Sequence, residues 1–208
     1  MPVCSEIKKD NNNVVVVWHI TETLDELLLL ISLSDDDANA LKQYKLEKRK
    51  KEWLVARILL QSVLGHYPAI EYLDNGKPYL KQGHRQISIS HTFGYVAVSV
   101  SDQPTALDIE ICAPRVEKVA KRFIHASEES YIQNDDKRAY LTTIWSAKEA
   151  LYKYFNVFGV IFNQQFVVHP FKMAESGELN CTFIQQSDQQ NLKLHYEVNN
   201  QYTLVYKL

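Results

Sequence analysis

No stretch of this sequence approaches the roughly 18 consecutive apolar residues that a membrane-crossing helix requires. The longest candidates, VVVVWHI (14–20) and LDELLLLIS (24–32), are short and patterned, as core elements of a soluble fold are. A surplus of one charge is also missing: 23 Lys and Arg against 25 Asp and Glu leave a net charge of −2. The chain therefore lacks the basic footprint of a nucleic-acid binder. Neither a membrane nor a nucleic acid is an expected partner. Cysteine is scarce, with Cys4, Cys112 and Cys181 odd in number and far apart. That excludes a disulfide framework and paired zinc-ligand spacing. Met1 to Asp10 has no apolar signal-peptide core, so a reducing cytoplasm is the expected location.

What is present is the composition of an ordinary soluble domain, 46% hydrophobic and 23% charged over 208 residues. That length allows one large domain or two small ones. After a polar opening through Asn11–Asn13, the β-branched run Val14–Ile20 reads as a buried strand and 21–32 as a helix. Ser34 followed by Asp35, Asp36 and Asp37 is a helix start, because a hydroxyl cap and early acids satisfy free N–H groups and the positive helix end. The helix should run towards Leu64, broken or bent on the way, and stop at Gly65. Asp74-Asn75-Gly76-Lys77-Pro78 predicts a tight exposed loop.

Alternation over Gln86–Ser90 and again over Tyr95–Ser101 predicts a hairpin, with Ser90 and His91 at its bend. After a joint at 102–105, a strand over Ala106–Ile111 precedes helices at 115–124, 127–134 and 136–155. Asn199-Asn200 separates two last strands. Each half thus reads as helices followed by a hairpin. The fold class expected is α+β, with two similar halves, residues 1–104 and 105–208. No residue-level repeat proves a duplication.

Two short segments carry candidate chemistry. In LDIEI, Asp108 and Glu110 lie two residues apart on a strand, so both carboxylates share a face and could hold a hard divalent cation. The same spacing also describes the wet face of an amphipathic strand. In WSAKEALYK, Trp145, Glu149 and Lys153 share one helical stripe, with Lys148 at its margin. Taken alone, that pattern is explained more simply by a packed Trp beside a Glu149–Lys153 surface pair worth roughly 0.2–0.5 kcal/mol. Ser90, His91, Lys77, and Arg57 with Lys48 and Arg49 could supply phosphate donors, although each is ordinary alone.

Taken in order, these segments resemble the surfactin-type 4′-phosphopantetheinyl transferases. GKPYL resembles the family's Gly-Lys-Pro loop and ISISHT its strand ending in Ser-His-Ser or Ser-His-Thr. ALDIE is similar to its Gly-Ile-Asp-Ile-Glu strand, and WSAKEALYK to its Trp-x-x-Lys-Glu helix. KRKKEWLVAR and RFIHASEE resemble two further family stretches, so the likeness covers roughly residues 48–155. The chain departs from the pattern at Ala106, where the family has glycine, and after Lys153, where Tyr154-Phe155-Asn156 precede Gly159.

The resemblance implies a pseudo-dimer of two α/β halves, working as a monomer, with coenzyme A in the cleft between them. It implies holo-acyl-carrier-protein synthase chemistry. A serine of an apo acyl or peptidyl carrier protein attacks the β-phosphate of coenzyme A, and 3′,5′-adenosine bisphosphate leaves. Asp108, Glu110 and Glu149 would be ligands of Mg2+, or of Mn2+. Glu149 would also deprotonate the serine. Lys153 and Lys148 would contact phosphates, Ser90 and His91 would hold coenzyme A phosphates, and Lys77 and Arg57 would lie at the nucleotide end. Two rival readings keep parts of this site: a magnesium-dependent coenzyme A hydrolase, and a non-catalytic relative that binds coenzyme A or a carrier.

Overall fold

Two antiparallel sheets, each covered by one long helix, meet along a common seam in the computed structural model, which describes residues 3–10 and 12–208. Met1, Pro2 and Asn11 of the polar opening lie outside the described residues. The first sheet contains β1 (Val3–Lys8) and β2 (Val14–His19). Three helices follow: α1 (Leu24–Leu28), α2 (Asp35–Gln43) and α3 (Glu47–Leu64). The small pair β3 (Ile70–Tyr72) and β4 (Pro78–Leu80) leads into the hairpin β5 (Gln86–Thr92) and β6 (Tyr95–Ser101). The strand order is β1-β2-β6-β5.

The second sheet begins with β7 (Ala106–Glu110). Then come α4 (Arg115–Val119), two 3-10 turns over 120–122 and 126–131, and α5 (Lys137–Phe155). The short α6 (Phe162–Gln165) and strands β8 (Phe166–Val168), β9 (Ser176–Gln185), β10 (Asp188–Val198) and β11 (Thr203–Lys207) complete the chain, in the order β7-β11-β10-β9-β8.

The unbroken apolar run of β2 follows from burial on both faces. Val14, Val16 and Trp18 pack with α3 residues such as Leu54, Ile58 and Leu59. Val15 and Val17 turn the other way, onto Leu107, Ile109 and Leu204 of the second sheet. That second contact is the apolar part of the seam. On the far side, Leu141, Ile144, Ala147 and Leu151 of α5 cover Phe166, Leu179, Phe183 and Leu194. Among the described residues, no helix is long and apolar enough to cross a membrane.

Several expected boundaries move. The helix expected over 21–32 shortens to α1, where a Thr23–Glu26 capping box starts it and exposed Leu29 and Leu30 receive no covering layer. The break expected before Leu64 falls between α2 and α3, and Gly65 ends α3 in the left-handed region (φ 76°). Ser90 and His91 do not form the hairpin bend. β5 continues through them to Thr92, in register opposite Tyr95, and Phe93-Gly94 make the turn. Edge strand β1, the β3–β4 pair and β9 carry too little periodicity to be read in advance.

Candidate active site in the seam between the sheets

β5 and β7 are edge strands of their respective sheets, and they face each other without sharing a backbone ladder. Period two sorts the side chains of β5. Ile87 and Ile89 join the core under α3, whereas Ser88, Ser90 and Thr92 turn to β7. Ser88 Oγ accepts from the Leu107 N–H at 3.1 Å, Ser90 Oγ donates to Asp108 Oδ1 at 2.8 Å, and Thr92 Oγ1 donates to Glu110 Oε2 at 3.0 Å. The two acids of the ALDIE strand are therefore held from the opposite sheet.

Lys153 of α5 reaches the same strand. Its Nζ donates to the Leu107 carbonyl and to Asp108 Oδ1, both at 2.9 Å. Asp108 is 5% exposed, and its second oxygen, Oδ2, is buried with no hydrogen-bond partner. A buried, unpaired carboxylate oxygen is costly unless something positive meets it. Glu149, one turn before Lys153, has its pKa pushed up to about 7 by burial first and then by the Asp108 charge, against the pull of Lys153. Glu110 is raised by the same two causes, while Thr92, Arg115 and Trp145 pull it back.

Asp108 thus stands near enough to both glutamates to oppose their ionisation. Among the described residues, however, no three His, Cys, Asp or Glu side chains converge at metal-ligand spacing. Lys153 and Ser90 share Asp108 Oδ1, and Arg115 joins Thr92 on Glu110 Oε2 at 3.2 Å.

A cavity of about 220 Å³ opens on this cluster, lined by Lys77, Glu149, Tyr152, Lys153 and Asn156. Asn75 hydrogen-bonds Asn156, tying the GKP loop of the first half to the end of α5. Lys77 thereby sits beside Lys153 and Glu149, and burial lowers its pKa. On the other side of Gly76 and Pro78 lies a second cavity of about 300 Å³, lined by Arg49, Glu52, Trp53, Arg57, Tyr72 and His91. Here Arg49 Nη1 lies 2.7 Å from His91 Nε2 and 2.8 Å from Glu52 Oε2. Burial outweighs Glu52 and lowers the His91 pKa.

Two predicted phosphate contacts, Lys148 and Arg57, have partners within the protein. Lys148 is fully buried, and its ammonium donates to Glu128 Oε2 (2.8 Å), the Phe123 carbonyl (2.5 Å) and the Phe162 carbonyl (3.3 Å). All three donors are used, so none is left for a phosphate. Arg57 is 2% exposed. It makes two 3.0 Å bonds to Asp37 and stacks on Trp53, so it forms cavity wall with its charge already paired. The sequence reading also missed Thr92, although its signal was present: hydroxyls at 88, 90 and 92 match the period of the acids at 108 and 110.

Residues 104–206 match the family model of the 4′-phosphopantetheinyl transferase superfamily. The chain belongs to this superfamily. A 4′-phosphopantetheinyl transferase of Bacillus subtilis is 33% identical over 82 residues, which are 38% of this chain and 37% of that protein. The 4′-phosphopantetheinyl transferase AcpT of Salmonella typhi is 29% identical over 112 residues, 50% of this chain and 58% of that protein. The superfamily match thus covers β7, α5 and β11, the elements that bring Asp108, Glu110, Glu149 and Lys153 together. The chain spans well under two thirds of either relative.

Proposed function

We propose that this protein transfers the 4′-phosphopantetheine arm of coenzyme A to a serine of an apo acyl or peptidyl carrier protein, acting as a monomer in the cytoplasm and releasing 3′,5′-adenosine bisphosphate. The observation that carries the reading is the buried, unpartnered Oδ2 of Asp108 beside Lys153, which with Glu149 and a second lysine, Lys77, lines one cavity. The comparisons support the same class of reaction.

The donor set suits Mg2+, with Mn2+ as an alternative. Magnesium takes oxygen ligands, keeps several waters and binds through one or two carboxylates plus substrate phosphates. An all-protein cage of three acids is therefore not required. Asp108 Oδ2 would be the first ligand, with Glu110 and Glu149 beside it. When bound, the ion would neutralise charge on the pyrophosphate and on the leaving oxygen.

The chain's own groups supply the rest. Lys153 and Lys77 line one cavity and would meet phosphate charge there, Lys153 also countering the charge that builds as the bond to the leaving group breaks. Glu149, beside Lys153 in the same cavity, would accept the serine proton. His91, with Arg49, offers phosphate donors in the adjoining cavity. Ser90 donates to Asp108 and so fixes that acid.

Intact mass spectrometry of an apo carrier incubated with the protein, coenzyme A and Mg2+ tests the reading. The carrier should gain the mass of one phosphopantetheine arm. The gain should vanish on chelation and in a carrier lacking its serine. Release of 3′,5′-adenosine bisphosphate without carrier would favour a coenzyme A hydrolase instead.

A further inference from the structure

Beside the Trp145 ring, Glu110 meets two side-chain donors of very different character. Arg115 is a solvent-side contact, its side chain 73% exposed. A single exposed ion pair of this kind holds a carboxylate weakly. Thr92 is 7% exposed, comes from the opposite sheet, and donates at 3.0 Å. Its position is fixed twice: by the β5 register, which pairs it with Tyr95 at the end of the ladder, and by the rungs at Ser88 and Ser90 that align β5 with β7. Both the Thr92 and the Arg115 bonds fall on Oε2.

We propose that Thr92 is a positioning residue, holding the Glu110 carboxylate from across the seam so that an arriving divalent cation meets it beside Asp108. The proposal rests on the transfer reading above and extends it to a residue outside the acid set. A hydroxyl donating to a ligating carboxylate fixes its rotamer without adding charge, and loss of such an outer partner typically weakens a metal site about 10- to 100-fold. Because the donor belongs to the first sheet and the acid to the second, metal affinity depends on the two sheets keeping their register. Ser90, bonded to Asp108, is a second point of the same clamp.

Free Mn2+ can be titrated by electron paramagnetic resonance against the full-length protein in the presence of coenzyme A, comparing wild type with Thr92→Val, Thr92→Ser and Arg115→Ala. Thr92→Val keeps shape and removes the donor. It should weaken Mn2+ binding about 10- to 100-fold, whereas Thr92→Ser should stay within about threefold of wild type. Arg115→Ala should also change it less than about threefold. In transfer assays, extra Mn2+ should restore most of the Thr92→Val rate. Wild-type Mn2+ affinity in Thr92→Val would overturn the proposal and leave the transfer reading standing. Equal losses in Val and Ser would assign the effect to methyl packing and overturn it too. No Mn2+ binding by the wild-type protein would overturn the metal reading, and this proposal with it.

Discussion

Glu149 shows how much of the site is a property of one group in one place. Its carboxyl titrates near pH 7 because burial and Asp108 both oppose its charge. A carboxyl whose pKa is raised on folding binds more protons folded than unfolded, so stability falls as pH rises from about 4.5 to about 7 and stays low above that. Glu149→Gln should therefore stabilise the metal-free protein at pH 8. Allowing for partial exposure, the gain is on the order of 1 kcal/mol, or roughly 2–4 °C in melting temperature, and it should shrink to nothing near pH 4.5. Thermal melts in chelator at the two pH values check this. The same variant should lose carrier modification by about 100-fold or more in the mass-spectrometric assay.

Among the elements, α5 does most. One face covers the second sheet, another presents Glu149 and Lys153, and between them Lys148 is locked to Glu128 with both side chains fully buried. Glu128 also accepts from the His125 and Val168 N–H groups, each at 2.8 Å, so the pair ties α5 to a 3-10 turn and to β8. Lys148→Met leaves that carboxylate unpaired and should cost about 3–5 kcal/mol in urea unfolding. Adding Glu128→Gln should recover a large part of the loss. A Lys148 whose role was phosphate binding would show little stability change instead. α3 supplies a smaller test at its end. Gly65 sits at φ 76°, and a methyl group added there would meet no other atom within 4 Å. Gly65→Ala should therefore cost about 1 kcal/mol in urea unfolding, through backbone strain alone.

At the scale of the whole molecule, the seam joins an apolar contact to a polar one. Val15, Val17, Leu107, Ile109 and Leu204 bind the sheets, and the hydroxyls of β5 meet the acids of β7 beside them. A ligand seated there touches both halves, so it should stabilise them as a unit. Coenzyme A with Mg2+ at about 100 times the dissociation constant should add roughly 2.7 kcal/mol, a rise of about 5–10 °C in one cooperative transition. Two separated transitions, with only one shifted, would mean that the ligand grips a single half.

The local signals in the sequence were sufficient for the α+β class, the helix start at Ser34, the stop at Gly65, the 74–78 loop and the long α5, because each depends on neighbours within a few residues. Asp108 and Glu110 on one strand face, and Glu149 and Lys153 on one helical stripe, were legible for the same reason: period and type are local. What faces those groups was not. The commitment of Lys148 to Glu128, of Arg57 to Asp37, and of Ser90 and Thr92 to the acids joins residues 18 or more apart, through helix packing for the first two and through one sheet edge facing another for the hydroxyls. A charge or hydroxyl carries no mark in the sequence of whether a partner or solvent will meet it. Only the tertiary structure decided which cations stay free for a ligand, because burial and pairing are set by contacts between elements far apart in the chain.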